Sequence, residues 1–232
     1  VWLVLGFLIS YRASNLRIKA WSFNKNLAKE MLASSWLLML SAAASYIYLK
    51  IDQVMIGAYL GVREVGLYAA GVKFVEVWYF IPAMICASLF PAIINARKAN
   101  NLAMYRSRLR NLYWLLAIIA VLIALPLTFL AAWAINLLFG AAYLGAVEIL
   151  QIYVWSGVGL FIGWGINQYF LSANRLRAIF CFNLFSMLLN IGLNLIFIPR
   201  FGLNGAAWAT LISYSVGPLV VWAIGTKKKM RS

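Results

Sequence analysis

Histidine is absent from this chain of 232 residues, and carboxylates and cysteines are scarce. The sequence holds five Asp and Glu residues and two cysteines, Cys86 and Cys181. The lack of histidine removes the commonest metal ligand and proton carrier, and the two cysteines have no metal-ligand spacing. No nucleotide-binding glycine loop or nucleophile motif is present either. The sequence therefore predicts no enzyme and no metal site, and both cysteines are expected to pack as small buried residues.

Apolar side chains dominate the rest of the composition. Hydrophobic residues make up 65% of the chain and charged residues only 11%. Several apolar runs are near or beyond the roughly 18–20 residues that span a bilayer. These runs are continuous, whereas the strands of a membrane β-barrel alternate apolar and polar residues. The composition predicts an all-α fold, a polytopic integral membrane helical bundle.

The apolar runs divide the chain into a short start, a basic linker, a lobe and a tail. Residues 1–11 are too few to span a bilayer and are interpreted as the end of a preceding transmembrane helix, so the sequence is expected to be a fragment. Residues 12–30 form a basic cytoplasmic linker, and 226–232 a basic cytoplasmic tail. Residues 31–225 form the lobe. Its six full transmembrane helices are predicted at 31–60, 67–95, 111–139, 145–171, 178–198 and 205–225.

Positive charge is concentrated on one side of the predicted membrane. Of the 20 Lys and Arg residues, 16 lie in the linker, in two alternate loops and in the tail, whereas the intervening loops hold only Arg63 and Arg200. This asymmetry follows the positive-inside rule and predicts that the basic loops and the C-terminus are cytoplasmic. The net charge of +15 therefore requires no nucleic acid partner, and the membrane lipids are the expected surroundings.

Four charged residues nevertheless fall inside the first two full spans. Lys50 and Asp52 lie in the first, and Lys73 and Glu76 lie in the second. On antiparallel helices Asp52 and Glu76 come to about the same depth, roughly 15–18 Å from the turn between them. Lys73 and Glu76 share a helix face, whereas Lys50 and Asp52 do not. Two interpretations remain open: an internal ion-pair cluster, or the lining of a polar cavity for a charged substrate or coupling ion.

The later spans add uncharged polar residues. The fifth full span carries a polar stripe on one helix face, which either bonds neighbouring helices or lines a hydrophilic cavity. The fourth carries Gly159 and Gly163 in a GxxxG pattern, which predicts close helix packing. The stripe consists of Asn183, Ser186, Asn190 and Asn194.

Three stretches of the sequence resemble a known transporter family. They are "IDQVMIGAYLGVREVGLYAAGVKFVEVWYFIP", "LFPAI" and "NLIFIPRFGLNGAAWATLIS". Together they resemble the C-terminal half of the polysaccharide (O-antigen and exopolysaccharide) repeat-unit flippases of the bacterial cytoplasmic (inner) membrane. These flippases belong to the multidrug and oligosaccharidyl-lipid exporter superfamily.

The resemblance implies a two-lobe transporter that works by alternating access, with this chain as the second lobe and an N-terminal lobe as its partner. Such flippases move undecaprenyl-diphosphate-linked oligosaccharides from the cytoplasmic to the periplasmic leaflet. In that setting Lys50 and Lys73 are candidates to contact the diphosphate or acidic sugars. Asp52 and Glu76 either hold these lysines or carry a coupling proton or sodium ion, and no other cofactor is expected. The four charges sum to zero, so a net positive cavity would need charge from the other lobe.

Two alternatives to a flippase remain. A cation-coupled multidrug antiporter of the same superfamily would use its acidic residues to bind the coupling cation directly. A polytopic membrane enzyme, such as a glycosyltransferase or polymerase, would need a sizeable loop carrying carboxylates or arginines. No such loop is predicted in these residues.

Overall fold

Helices make up the secondary structure of the described chain. The computed structural model describes the backbone of residues 24–229 and the side chains of residues 24–33 and 35–217. This part contains seven α-helices and no strand, which confirms the all-α prediction. The helices are α1 Lys25–Tyr59, α2 Val62–Glu76, α3 Phe80–Lys98, α4 Leu102–Phe139, α5 Val147–Tyr153, α6 Ser156–Ser172 and α7 Leu176–Lys229.

The chain divides into two compact units, Val1–Trp36 and Leu37–Ser232. Of the first unit, only the beginning of α1 is described. There the side chain of Asn24 accepts hydrogen bonds from the backbone N–H groups of Asn26 and Leu27, as helix N-caps do. The helix predicted at 1–11, residues 12–23 of the predicted linker and residues 230–232 of the tail lie outside the described residues. Residues 25–30 of that linker belong to α1.

Several helical segments are long and apolar enough to cross a membrane. Three qualify among the described residues, and five do so if each of two bent helix pairs counts as one span. Large apolar side chains on α4 face outward, including Trp114, Leu122 and Phe129 at 65%, 63% and 82% exposure. Such a surface suits lipid rather than water. A polytopic membrane bundle is therefore confirmed.

Helix α7 folds back on itself at Gly202. This glycine has φ 59° and ψ −137°, a conformation that a residue with a Cβ atom rarely adopts. Asn190 Nδ2 and Thr210 Oγ1 lie 3.4 Å apart, although two residues 20 positions apart would be separated by roughly 30 Å along a straight helix. The first arm of α7 (residues 176–201) and the second arm (residues 203–229) are therefore antiparallel, and they supply the fifth and sixth predicted spans.

The fourth predicted span, 145–171, is broken rather than continuous. A 3-10 turn at Ala141–Ala146 leads into α5, and this segment meets α6 at an angle of 44°. At the break the backbone N–H of Gly157 bonds to Val154 rather than to Tyr153. The hydroxyl of Ser156 instead donates to the Tyr153 carbonyl at 2.6 Å, a local bond that competes with the helical pattern.

Proline has different effects in the second and third spans, for which kinks at Pro82 and Pro126 are predicted. A 3-10 turn at Val77–Tyr79 separates α2 from α3 immediately before Pro82, as expected because a proline ring clashes with the carbonyl four residues earlier. Pro126 lies inside α4, which remains one helical element from Leu102 to Phe139.

The two cysteines differ in burial. Cys86 is fully buried, which confirms its predicted packing, but Cys181 is exposed. The prediction for Cys181 is wrong because its helix face also carries Phe185 and Leu188, which are 40% and 57% exposed. Apolar residues at this spacing indicate a lipid-facing stripe, and a small apolar thiol is tolerated there.

Candidate functional site

Asp52 is buried at the centre of a hydrogen-bonded polar cluster. The side chain is only 3% exposed, and its two oxygens have three neutral donors. Tyr68 of α2 donates its hydroxyl to Oδ2 at 2.9 Å, and Thr210 of the second arm donates to the same oxygen at 2.5 Å. Asn194 of the first arm donates its amide to Oδ1 at 2.7 Å. Three donors of this kind stabilise a carboxylate that has lost its water shell.

The two inner asparagines of the polar stripe extend this cluster. Asn190 and Asn194 are fully buried. The Nδ2 of Asn194 also donates to Asn190 Oδ1 at 3.1 Å, and Asn190 Nδ2 donates to the hydroxyls of Thr210 at 3.4 Å and Ser213 at 3.3 Å. The Oδ1 of Asn194 is buried and has no hydrogen-bond partner among the residues that the structure describes. We call the set of side chains Asp52, Tyr68, Asn190, Asn194, Thr210 and Ser213 the Asp52 cluster.

The other three candidate charges lie apart from Asp52. Lys50 Nζ contacts Glu76 Oε1 at 2.6 Å, and Lys73 Nζ lies 4.0 Å from Glu76 Oε2. The two lysines are 52% and 70% exposed and Glu76 is 19% exposed. Lys50 and Asp52 therefore face different neighbours, as their spacing indicates. We call Lys50, Lys73 and Glu76 the lysine pair site; its formal charge is +1.

This separation bears on the two interpretations that the sequence leaves open for the four charges. An internal ion-pair cluster would neutralise all four across the hairpin, whereas Asp52 is surrounded by amides and hydroxyls and has no ion pair with any described basic side chain. A side chain at position i and one at i+2 point to different sides of a helix. The positive excess at the exposed lysine pair site therefore comes from this lobe itself.

Asn183, the first residue of the stripe in the sequence, belongs to neither the Asp52 cluster nor the lysine pair site. Its amide donates to Ser41 of α1 at 2.6 Å, and it lies beside a cavity described below.

At the GxxxG pattern, a Cβ atom added to Gly159 would lie 2.4 Å from the Tyr214 carbonyl oxygen. The predicted close packing of helices is therefore confirmed at Gly159.

Sequence analysis missed three members of the Asp52 cluster. Tyr68, Thr210 and Ser213 are fully or almost fully buried, but each was counted as an ordinary member of an apolar span. Thr210 and Ser213 are three residues apart on one helix face, the same kind of spacing that identified the asparagine stripe. Applying that criterion to hydroxyl side chains would have found them.

The cluster can bind a proton or a small cation. It offers carboxylate, amide and hydroxyl oxygens, which are the ligands that hard cations prefer. Only one group is an acid, and among the described residues no set of three or more His, Cys, Asp and Glu side chains converges. A single negative charge is balanced by one positive charge, which favours a proton or a monovalent ion over a divalent metal.

Comparison with known proteins identifies the family. Residues 2–148 match the model of the polysaccharide biosynthesis protein family. No curated protein matches the chain.

Solved structures identify the fold. A MATE transporter crystallised with MaL6 superimposes with a TM-score of 0.80 at 14% identity, over 97% of this chain and 54% of that protein. An outward-facing multidrug resistance MATE transporter of the MOP superfamily and a MOP superfamily transporter from Pyrococcus furiosus each give 0.67 at 19% identity, over 81% of this chain and 42% of theirs. The chain thus spans about half the length of these structures.

The sequence match gives the family, and the solved structures give the fold. The chain belongs to the polysaccharide biosynthesis protein family and has the helical fold of a MOP superfamily transporter.

Proposed function

We propose that this chain forms one lobe of a flippase that moves undecaprenyl-diphosphate-linked oligosaccharide repeat units from the cytoplasmic to the periplasmic leaflet of a bacterial inner membrane. A second lobe completes the central cavity, and the two work by alternating access. The family match supports a role in polysaccharide biosynthesis, and the MATE-like fold supports transport. The basic loops and the C-terminus then face the cytoplasm.

The observation that carries the mechanism is the buried Asp52, which lacks a cationic partner among the described side chains. An ionised carboxylate inside a membrane is costly unless a positive charge compensates it. Binding a coupling proton or Na⁺ supplies this charge without a permanent salt bridge. The site can therefore alternate between a loaded and an empty form, which is what coupling to an ion gradient requires.

The lysine pair site is the proposed contact for the anionic substrate. Lys50 and Lys73 are half or more exposed, and Glu76 orients them without cancelling their combined charge. Two ammonium groups around one carboxylate leave donors free for a diphosphate. Asn183, Asn190 and Asn194 serve the lobe differently in this proposal: Asn190 and Asn194 complete the ion site, and Asn183 holds α1 against α7.

The proposal is tested by comparing surface polysaccharide with membrane protein level in the native host. Lys50→Met combined with Lys73→Met should lower export at least tenfold at normal protein abundance. Lys98→Met, at an exposed position in a basic loop, is the matched control and should export normally. The double replacement Lys73→Met with Glu76→Leu should also lower export, because it removes one of the two ammonium groups together with the carboxylate that orients Lys50, while the remaining Lys50 is half exposed and is not a buried unpaired charge. Normal export in both doubles would assign the lysine pair site a structural role.

A cation-coupled multidrug antiporter is the second candidate, favoured by the MATE-like fold and by the Asp52 cluster. It predicts that the protein raises the drug tolerance of a sensitive host and that Asp52→Asn abolishes this tolerance. It also predicts that the two lysine doubles leave surface polysaccharide unchanged. Measuring both phenotypes in the same strains separates the two candidates.

A further inference from the structure

A cavity of about 540 Å³ lies next to the Asp52 cluster. Its walls come from α1, α6 and both arms of α7, and none of the described side chains that line it is acidic or basic. Leucines and aromatic rings form most of the surface. The polar part of the wall includes Asn167, Asn183, Ser186 and Tyr214.

The polar wall carries buried groups that have no protein partner. Among the described side chains, four such atoms are buried without a hydrogen bond, and three of them belong to residues that line this cavity: Asn167 Oδ1, Ser186 Oγ and the Tyr214 hydroxyl. Ser186 and Tyr214 are each only 2% exposed. Buried polar groups without protein partners are normally satisfied by water. The cavity has room for several waters, since one occupies about 30 Å³ in the liquid.

On each of three helical segments, a residue that lines the cavity lies about one helical turn from a member of the Asp52 cluster. Tyr48, Ser186 and Tyr214 line the cavity, and each is four residues from a member of the cluster: Asp52, Asn190 and Thr210 respectively. Four residues correspond to about 6 Å along a helix. Because α1 and the first arm of α7 run in one direction and the second arm runs back, all three lie on the same side of the cluster. That side is the basic end, toward the loops at Lys98 and Arg175.

Two aromatic rings lie at the boundary between the cavity and the cluster. The rings of Tyr48 and Tyr214 have centroids 4.3 Å apart and are tilted by 39°. The surrounding backbone is tightly packed: a Cβ atom on Gly217 would lie 2.4 Å from Ser186 Oγ. The packing between the cavity and the Asp52 cluster is therefore close, with the two rings between them.

We propose that this cavity is a hydrated vestibule through which the coupling proton or Na⁺ moves between the basic end of the lobe and Asp52, with the Tyr48–Tyr214 ring pair as its gate. The inference rests on the proposed ion site at Asp52. An acyl chain is the competing occupant, because much of the wall is apolar. Water is favoured because a hydrocarbon chain has no group to pair with Asn167, Ser186 or Tyr214.

Thiol modification tests whether the vestibule contains water. In a background in which Cys86 and Cys181 are replaced by alanine, Ser186→Cys and Asn167→Cys are compared with Leu122→Cys on the lipid-facing side of α4. A charged, water-soluble methanethiosulfonate should modify the two vestibule variants at least tenfold faster than the control, because the cysteine thiolate attacks the reagent, releasing methanesulfinate, and a thiol ionises only where water reaches it. Equal, slow modification of all three would overturn the proposal. Modification of Ser186→Cys by a hydrophobic maleimide alone would indicate an acyl chain and would also overturn it.

Ion flux tests the gate in purified protein reconstituted into liposomes. Tyr48→Ala should raise substrate-free ²²Na⁺ or proton uptake at least fivefold, and Tyr48→Phe, which keeps the ring, should not. Adding Asp52→Asn to Tyr48→Ala should return uptake to the basal rate. If Tyr48→Ala raises neither flux, the gate assignment is wrong. If thiol modification shows a dry cavity while Asp52→Asn abolishes the dependence of transport on the coupling ion, only the vestibule proposal is wrong. If transport by Asp52→Asn still depends on the ion, the proposed function itself is wrong.

Discussion

Replacing Asp52 by asparagine separates a structural carboxylate from an ion-binding one. The side chain is 3% exposed and accepts three hydrogen bonds. Asparagine has the same shape and keeps an oxygen for Asn194. Its amide then faces the hydroxyls of Tyr68 and Thr210, which can accept as well as donate, and Thr210 can direct its single hydroxyl hydrogen to the Ala206 carbonyl at 3.1 Å instead of to residue 52.

The magnitudes indicate a small change in stability. Hydrogen bonds to a charged group contribute about 1.5–3 kcal/mol each and neutral ones about 0.5–1.5 kcal/mol, so three weakened bonds cost several kcal/mol. Neutralising a buried charge that has no cationic partner stabilises the folded protein by several kcal/mol, because the desolvation penalty of that charge is no longer incurred. The two terms offset each other, and we expect the unfolding free energy of Asp52→Asn to lie within about 2 kcal/mol of wild type.

Thermal unfolding of the purified protein, with and without Na⁺ and across pH, provides the assay. An ion present at 100 times its Kd stabilises the wild type by about 2.7 kcal/mol, or roughly 5–11 °C at the 2–4 °C per kcal/mol typical of chains this long. Asp52→Asn should show normal membrane abundance and no such shift. Loss of the protein from the membrane, or a retained shift, would refute the interpretation of Asp52 as an ion ligand.

Three further predictions concern the membrane topology, the close helix packing at Gly159 and the contribution of Thr210 to the ion site. A cysteine at Asn204 should react with an impermeant thiol reagent from the periplasm and one at Lys98 should not; the opposite pattern would invert the proposed topology. Gly159→Ala should destabilise the protein by about 1–3 kcal/mol through overpacking, measured as a lower Tm, whereas Gly66→Ala, which meets nothing within 4 Å, should be neutral or stabilising. Thr210→Val removes a hydroxyl oxygen that the cluster offers to a cation, at nearly constant volume, and should raise the Kd for Na⁺ about tenfold, read from the Na⁺ dependence of the Tm; an unchanged Kd would exclude Thr210 from the site.

Much of the fold could be predicted from the sequence, because the length of the apolar runs reflects the thickness of the bilayer and the alternation of basic loops indicates which helix ends lie on the same side. The common depth of Asp52 and Glu76 followed from counting residues from the turn. The break between α5 and α6 could not be predicted from hydropathy, since it consists of a local change to i→i−3 backbone bonds at Trp155, Gly157 and Val158 within a continuous apolar run.

The site was harder to predict than the fold. Asp52 and Thr210 are 158 residues apart in the chain, and no local spacing shows that they meet. Counting residues from the turn gives Asp52 the same depth as the lysines. The face of α1 that carries Asp52, however, points toward the asparagines of α7. The exposure of Cys181 has the same origin, because hydropathy does not tell which face of a span points toward lipid.

The turns that join the helices of this lobe are very short. Only Leu60 and Gly61 separate α1 from α2, and three residues separate α3 from α4 and α6 from α7. Connections this short leave no slack for neighbouring helices to slide past one another, so a torque applied to one helix reaches the next. Spin labels on residues near these turns should keep constant separations while the transporter cycles. The joint between α5 and α6, where the backbone pattern is already interrupted, is the place where such a stiff assembly would bend first.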